Sequence, residues 1–157
     1  MCRDPDPADR RLASSTIAPR QMVKDVAAAI IVRDAHVLMA RRAPGQNLAG
    51  YWEFPGGKVE PGETIRTCIA RELAEELAIT CEPGEIMMRH LHRYEGGAIN
   101  LIAIHVRMTC DHWQLSVHDD ARWIGADALM VLRLAPADIP VARAVRDELL
   151  VTTDRRS

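Results

Sequence analysis

The segment Gly57 to Ile79, GKVEPGETIRTCIARELAEELAI, constrains this chain most, above all its run Arg71-Glu72-Leu73-Ala74-Glu75-Glu76. Ile65, Ile69, Leu73 and Leu77 recur every four residues and make one core-facing stripe, which predicts a helix from about Thr64 to Leu77. At the roughly 100° per residue of a helix, Glu72, Glu75 and Glu76 share one arc of about 100°. Glu76 projects onto the side of Ile65 and Ile69, where a carboxylate needs a partner to offset its desolvation. Acids at i, i+3 and i+4 repel one another by about a few tenths of a kcal/mol per pair, and in this segment only Arg66 and Arg71 can offset that. A divalent cation reverses the sign of the cost. Acidic helix faces are often simply solvated, but these acids follow a glycine loop, Glu53-Phe54-Pro55-Gly56-Gly57-Lys58, and a turn, Glu60-Pro61-Gly62-Glu63. The glycines expose backbone to a ligand, and the turn sets Glu63 at the helix start, where the dipole favours an anion. Loop, turn and acidic helix read as one site.

Gly57, Glu63, Arg71, Glu72, Leu73, Glu75, Glu76 and Ile79 fall in the positions of G-x5-E-x7-R-E-U-x-E-E-x-G-U, with U a bulky aliphatic, so the stretch resembles the signature of the Nudix hydrolases. Ala78 stands where that pattern has glycine, which bears on how the helix ends more than on metal ligands. The resemblance covers roughly Val23 to Leu150. The segments W-E-F-P-G-G-K-V-E-P-G-E and L-A-P-A-D-I-P are similar to MutT-type nucleotide pyrophosphohydrolases, most of all to their CTP pyrophosphohydrolase branch. It implies an α/β fold, the Nudix α/β/α sandwich with a mixed β-sheet between helices, and a domain over residues 22–152 with a C-terminal tail over 153–157.

The activity implied is Mg²⁺-dependent hydrolysis of a (d)NTP to the monophosphate and pyrophosphate, with Mn²⁺ as the alternative metal and a nucleotide-pool sanitising role. Metal ions neutralise charge on phosphate oxygens during attack by water, and carboxylates suit these hard cations. Carried over by position, Glu72, Glu75, Glu76 and the carbonyl of Gly56 hold the metal, and Glu72 or Glu76 is the base. Arg71 orients the acids and Glu63 holds the loop to the helix. Relatives often carry a further acid before the last strand; Val117 occupies that place, with Asp119 and Asp120 close behind. Asp138 is the residue placed to read the base, its alternative being an N-cap of the last helix. A carboxylate accepts from the amino group of cytosine or from guanine donors, which favours CTP, dCTP or modified dCTP. Phe54 is either core or an aromatic wall for the base, and Arg42 is the companion expected at the phosphates. Alternative activities are 8-oxo-dGTP diphosphatase (mutator MutT activity), hydrolysis of ADP-ribose-type substrates, and a non-catalytic nucleotide sensor.

A chain of 157 residues is long enough for one domain with a proper core. A net charge of −2 supplies no basic field for polymeric nucleic acid and leaves room for a small anionic substrate, which the resemblance implies is a nucleotide. Four cysteines without C-x-x-C spacing predict neither a zinc site nor a disulfide framework. No signal-like segment and no run near the ~18 apolar residues of a membrane span is present, which predicts a cytoplasmic protein, monomer or homodimer. Residues 1–21, with three prolines among charged and small residues, predict a disordered tail.

Strands are expected over Lys24 to Val32 and His36 to Arg42, with only one of Arg41 and Arg42 able to face the site. A hairpin is expected over Glu85 to Glu95 and Ala98 to Met108, carrying His90, His92 and His105 on its surface after a turn at Glu82-Pro83-Gly84. Short strands at Gln114 to Val117 and Arg122 to Ile124 precede a short helix over Asp127 to Leu132. A final helix over Pro140 to Leu150 carries Val141, Val145 and Leu149 on one stripe.

Overall fold

The computed structural model describes residues 22–156, so the tail expected over residues 1–21 lies outside the described residues. Strand β1, Val23–Ile30, is central to the first sheet. It pairs antiparallel with β5, Gly56–Lys58, on one side and parallel with β7, Gly97–Met108, on the other. The 14-residue β6, Cys81–Tyr94, closes that sheet antiparallel to β7. In a second, antiparallel sheet, β3 (His36–Arg42) pairs with β2 (Val32–Arg33), β4 (Trp52–Glu53) and β8 (His118–Gly125). The helices are α1, Ile65–Leu77, α2, Ala126–Leu129, and α3, Ile139–Asp154.

The unbroken apolar run of β1 follows from burial on both of its faces. Ala27, Ala29 and Ile31 pack with Leu38 and with Cys68, Ile69, Leu73 and Leu77 of α1. Ala28 and Ile30 pack the other way, with Met39, Phe54 and Leu101 and with Val141, Ala142, Val145 and Leu149 of α3. The strands thus lie between α1 and α3, as the α/β/α reading requires, and both helices bury the stripes their sequences carry. Among the described residues no helix is long and apolar enough to cross a membrane.

Several expected boundaries shift. Pro83, expected in a turn, lies inside β6, where the register slips between Pro83 and Ile86 and again before Met88. An edge strand tolerates a residue without an N–H, and the bulges absorb it. Gln114 to Val117 forms no strand; Gln114 N–H donates to Leu77 O at 2.8 Å, and the Ser116 hydroxyl donates to the carbonyls of Glu75 and Glu76. The segment therefore satisfies orphan carbonyls at the end of α1. Helix α3 continues past Leu150 to Asp154, taking two residues from the expected tail, with Thr152 Oγ1 donating to Glu148 O at 3.0 Å.

Helix α1 starts where expected, at a Thr64 N-cap whose hydroxyl oxygen accepts from Thr67 N–H. It ends on Ala78 in the left-handed region, φ 53° and ψ 32°, with Ala78 N–H donating to Ala74 O and Ile79 N–H to Leu73 O. The departure from glycine at this position is thus carried as backbone strain. Left-handed backbone costs an L-residue about 1–2 kcal/mol, and glycine's extra unfolded-state freedom takes back about 0.4–1 kcal/mol. Ala78→Gly is expected to stabilise the protein by about 0.5–1 kcal/mol, read as a melting temperature a few degrees higher; an unchanged or lower value would show that the cap is unstrained.

Candidate active site

The glycine loop is shaped by what lies behind it. Gly56 and Gly57 pair with Ala28 and Ala27 of β1. A Cβ at Gly56, where φ is 157°, would overlap the Ala27 carbonyl, and one at Gly57 would overlap the Glu72 carboxylate. Both glycines are therefore needed for close approach: one lets β5 reach β1, the other lets an α1 acid lie against the loop backbone.

Arg71 ties loop, turn and helix together. Its Nε and Nη2 donate to Glu63 Oε2 and Oε1, both at 2.8 Å, a bidentate pair. Nη1 donates to Glu72 at 3.0 Å and to Glu75 at 3.1 Å, and Nη2 also reaches Lys58 O at 3.2 Å. Glu63 Oε1 further accepts from Glu60 N–H at 2.9 Å. The Arg71 hydrogen bonds, then the Glu60 N–H, hold the Glu63 carboxyl down at about 2. Glu72 moves the other way, upward, chiefly through burial.

On the far side of the loop a cleft of about 640 Å³ is lined by Arg42, Glu53, Gly56, Glu76, His118 and Asp138. Glu76 Oε2 is buried without a hydrogen-bond partner. Burial first, then Glu72 and Glu53, push Glu76 up to about 7, against the pull of His118 and Arg42. Among the described residues no three His, Cys, Asp or Glu side chains already form a metal-holding group. Glu75 is 59% exposed on its Arg71 pair, and Glu72 shares Arg71 behind Gly57. The donor set nonetheless fits a divalent cation, because an all-oxygen cluster with an orphaned, desolvated carboxylate is what such an ion relieves.

Other expected residues separate. Arg42 turns into the cleft, donating to Glu53 Oε2 at 2.8 Å and to Asn47 O at 2.9 Å, whereas Arg41 turns to Asp119 at 2.7 Å. A register shift between Arg41 and Arg42 accompanies the split. Phe54, either core or stacking wall by sequence, is 3% exposed and packs in the core on the α3 side of the sheet, and it also lines the cleft. The aromatic ring exposed at the cleft is Tyr94, 48% exposed and folded over Gly97, with His92 beside it. Asp138 makes no side-chain cap for α3; it is 6% exposed and its Oδ1 accepts from Phe54 N–H at 3.3 Å. Trp52 N–H donating to Arg133 O and Ala135 N–H donating to Trp52 O bring this segment to β4. Burial, then Glu53, push Asp138 up to about 8.

Two cleft residues escaped the sequence reading. Glu53 looked like the lead-in to the glycines, and His118 was hidden behind the question of which acid follows Val117. Val117 does line the cleft, but Asp119 pairs with Arg41 and Asp120 with Arg122, and neither lines it. His118 lies there instead, 5% exposed, with Nε2 3.0 Å from Glu53 Oε1.

The depressed Glu63 carboxyl predicts an acid limb. Its folded-state value lies below the ordinary 4.5, so its contribution is present above 4.5 and fades as pH falls toward about 2. Glu63→Gln is expected to be less stable than the parent at pH 6, with the difference shrinking between pH 4.5 and 2 in denaturant titrations. A difference independent of pH would overturn the Arg71 pairing as its source.

Comparison with known proteins agrees with this architecture. The family model for the NUDIX domain matches residues 23–145. CTP pyrophosphohydrolase of Escherichia coli K12 is 42% identical over 120 residues, 76% of this chain and 89% of that protein. A putative 8-oxo-dGTP diphosphatase 2 of Mycobacterium tuberculosis is 57% identical over 54 residues, 34% of this chain and 38% of that one. Among solved structures, the E. coli ORF135 protein superposes with a TM-score of 0.69 at 39% identity, covering 79% of this chain and 89% of that one. The MutT protein of Methanosarcina mazei superposes with a TM-score of 0.73 at 25% identity, covering 82% and 96%. With the family pattern spanning most of the described chain and the acids of its signature gathered around one loop, this protein belongs to the NUDIX hydrolase family.

Proposed function

We propose that the protein is a nucleoside triphosphate pyrophosphohydrolase, dependent on Mg²⁺ or Mn²⁺, that releases pyrophosphate and favours cytosine nucleotides. The observation that carries the reading is Glu76: a buried carboxylate with an orphaned oxygen, facing a cleft whose floor includes Gly56. Glu72, Glu75, Glu76 and the Gly56 carbonyl are the residues that would hold the metal, with Arg71 releasing carboxylate oxygens to it. The bound ion would neutralise phosphate charge and polarise the anhydride under attack. Arg42 and Lys58 line the same cleft as the cations available to phosphate oxygens. Glu63 and Arg71 keep the loop at a fixed distance from α1.

The base end is Asp138 with Tyr94 and His92. A carboxyl held up near 8 is protonated at neutral pH, so it offers one donor and one acceptor instead of acceptors alone. Cytosine presents the complement on its pairing edge: a ring nitrogen that accepts beside an amino group that donates. Similarity to the E. coli CTP pyrophosphohydrolase along most of both chains supports the same substrate class. The stretch shared with the M. tuberculosis protein makes an oxidised guanine nucleotide the second candidate.

The deciding experiment is a panel of ordinary, oxidised and methylated nucleotides with Mg²⁺ or Mn²⁺, separating pyrophosphate from phosphate. Release of phosphate alone, or no turnover of any triphosphate, would overturn the reading. Glu76→Gln is expected to lose about 10³-fold or more in kcat while remaining folded; near-parental turnover would remove Glu76 from the metal site. Asp138→Asn keeps a donor and an acceptor, so it should retain cytosine use. The parent's cytosine use should weaken as pH rises through about 8, and the Asn variant's should not. Equal pH profiles would separate Asp138 from base reading.

A further inference from the structure

Two buried side-chain polar atoms among the described residues have no hydrogen-bond partner: Glu76 Oε2 and His118 Nδ1. Both residues line the same cleft. Buried polar atoms in folded proteins are almost always paired, so each orphan calls for an explanation. The metal reading supplies one for Glu76 and none for an imidazole nitrogen of His118.

The surrounding bonds define what that nitrogen can do. Glu53 Oε2 accepts from Arg42 Nε at 2.8 Å, and its Oε1 lies 3.0 Å from His118 Nε2. A carboxylate engaged by arginine accepts at both oxygens, so the proton between Glu53 and His118 belongs to Nε2. The neutral ring then presents a bare lone pair at Nδ1. The His118 side chain is 2% exposed, on a strand end pinned to β3 by the Arg42–His118 pairing. Three charged groups bear on this end of the cleft: Glu53 from β4, Glu76 from α1 and Arg42 from β3. Asp119 and Asp120, the acids that follow Val117, are committed to Arg41 and Arg122 and do not line the cleft.

We propose that a Glu53–His118 dyad, in place of the Glu72 or Glu76 that the family resemblance implies, is the general base of this enzyme, with His118 Nδ1 as the atom that receives the proton. The proposal rests on the reaction assigned above. A water oxygen forms the new bond to phosphorus and one of its protons passes to Nδ1. The bond from that phosphorus to the bridging oxygen breaks, and the electron pair leaves on the departing pyrophosphate or nucleoside monophosphate. Glu53 does not take the proton; it holds the ring in the Nε2–H tautomer and stabilises its charged form, the division of labour seen wherever a carboxylate orients a catalytic histidine.

The test compares His118→Ala with His118→Gln on whichever phosphoanhydride the parent cleaves best. Glutamine places an N–H where Nε2–H was, so the link to Glu53 survives while the Nδ1 lone pair is lost. Both variants are expected to fall about 10²–10³-fold in kcat with KM little changed, and added imidazole is expected to restore part of the activity of the alanine variant. A glutamine variant with near-parental kcat would overturn the dyad and leave His118 as a strut between β4 and β8. If the alanine variant does not fold, the glutamine comparison decides. Independently, ¹⁵N spectra of the parent's imidazoles should show His118 as the Nε2–H tautomer without substrate; an Nδ1–H tautomer would overturn the proposal. A parent that releases no pyrophosphate from any nucleotide would instead count against the assigned reaction, with the kcat comparison still read on the anhydride it does cleave.

Discussion

The guanidinium of Arg71 is the interaction on which the site depends. It is planar, always charged and carries its donors in a rigid fork, and here that fork meets Glu63 face on while its remaining edge serves Glu72 and Glu75. Without it three acids would repel across one helix face, and the turn at Glu60 would have only the Glu63 contact with its own backbone. The same cation that makes the cluster tolerable also holds two of its oxygens at a distance where metal could compete for them. An arginine rather than a lysine is required for this, since a point charge cannot hold Glu63 bidentately and reach along the helix as well.

Burial then sorts the carboxylates by task. Glu63, 13% exposed but held bidentately by Arg71 and bonded by the Glu60 N–H, is driven strongly acidic and serves as structure. Glu76 and Asp138 are pushed the other way by desolvation, and each feels Glu53 besides. Acids with opposed environments on one scaffold mark the places where protons or cations are exchanged. Arg42 is the basic side chain that bears on Glu53, Glu76 and Asp138 alike, so the electrostatics of metal end and base end meet at one residue.

How much of this was legible in the sequence follows from range. Helix α1 was readable because its stripe, its Thr64 cap and its acid spacing are local, and even its strained end was announced by alanine at the glycine position. Strand β1 was readable from its nearly continuous apolar run. Arg42 was separable from Arg41 only as one of a pair, because the choice turns on a bulge that no local pattern encodes. Pro83 misled because a turn dipeptide and an edge-strand bulge look alike without the partner strand. Asp138 beside Pro140 read equally well as a cap, and only the pairing of residues 133–135 with Trp52 brings it to Phe54 instead. His118 was least visible of all: its partner lies 65 positions earlier, and its burial depends on β3 and β8 meeting.

That long-range pairing also bears on how such a cleft can change its chemistry without changing its fold. The signature stretch is one turn and one helix tied together by Arg71, and its position against β1 is fixed by two glycines. The opposite wall is assembled from β3, β4 and β8, which contribute Arg42, Glu53 and His118, and from the segment before α3, which contributes Ala135, Pro136, Ala137 and Asp138. An acid at position 117 would approach the cleft from the loop, whereas the histidine at 118 enters from the strand that follows and needs Glu53 to set its tautomer. Placing a nitrogen base on a strand end gives it a rotamer held by sheet pairing, where a loop carboxylate would depend on the loop being ordered. The wall built from separate strands is therefore where the proposed base choice and proton transfer can vary independently, while the helix proposed to hold the metal stays the same.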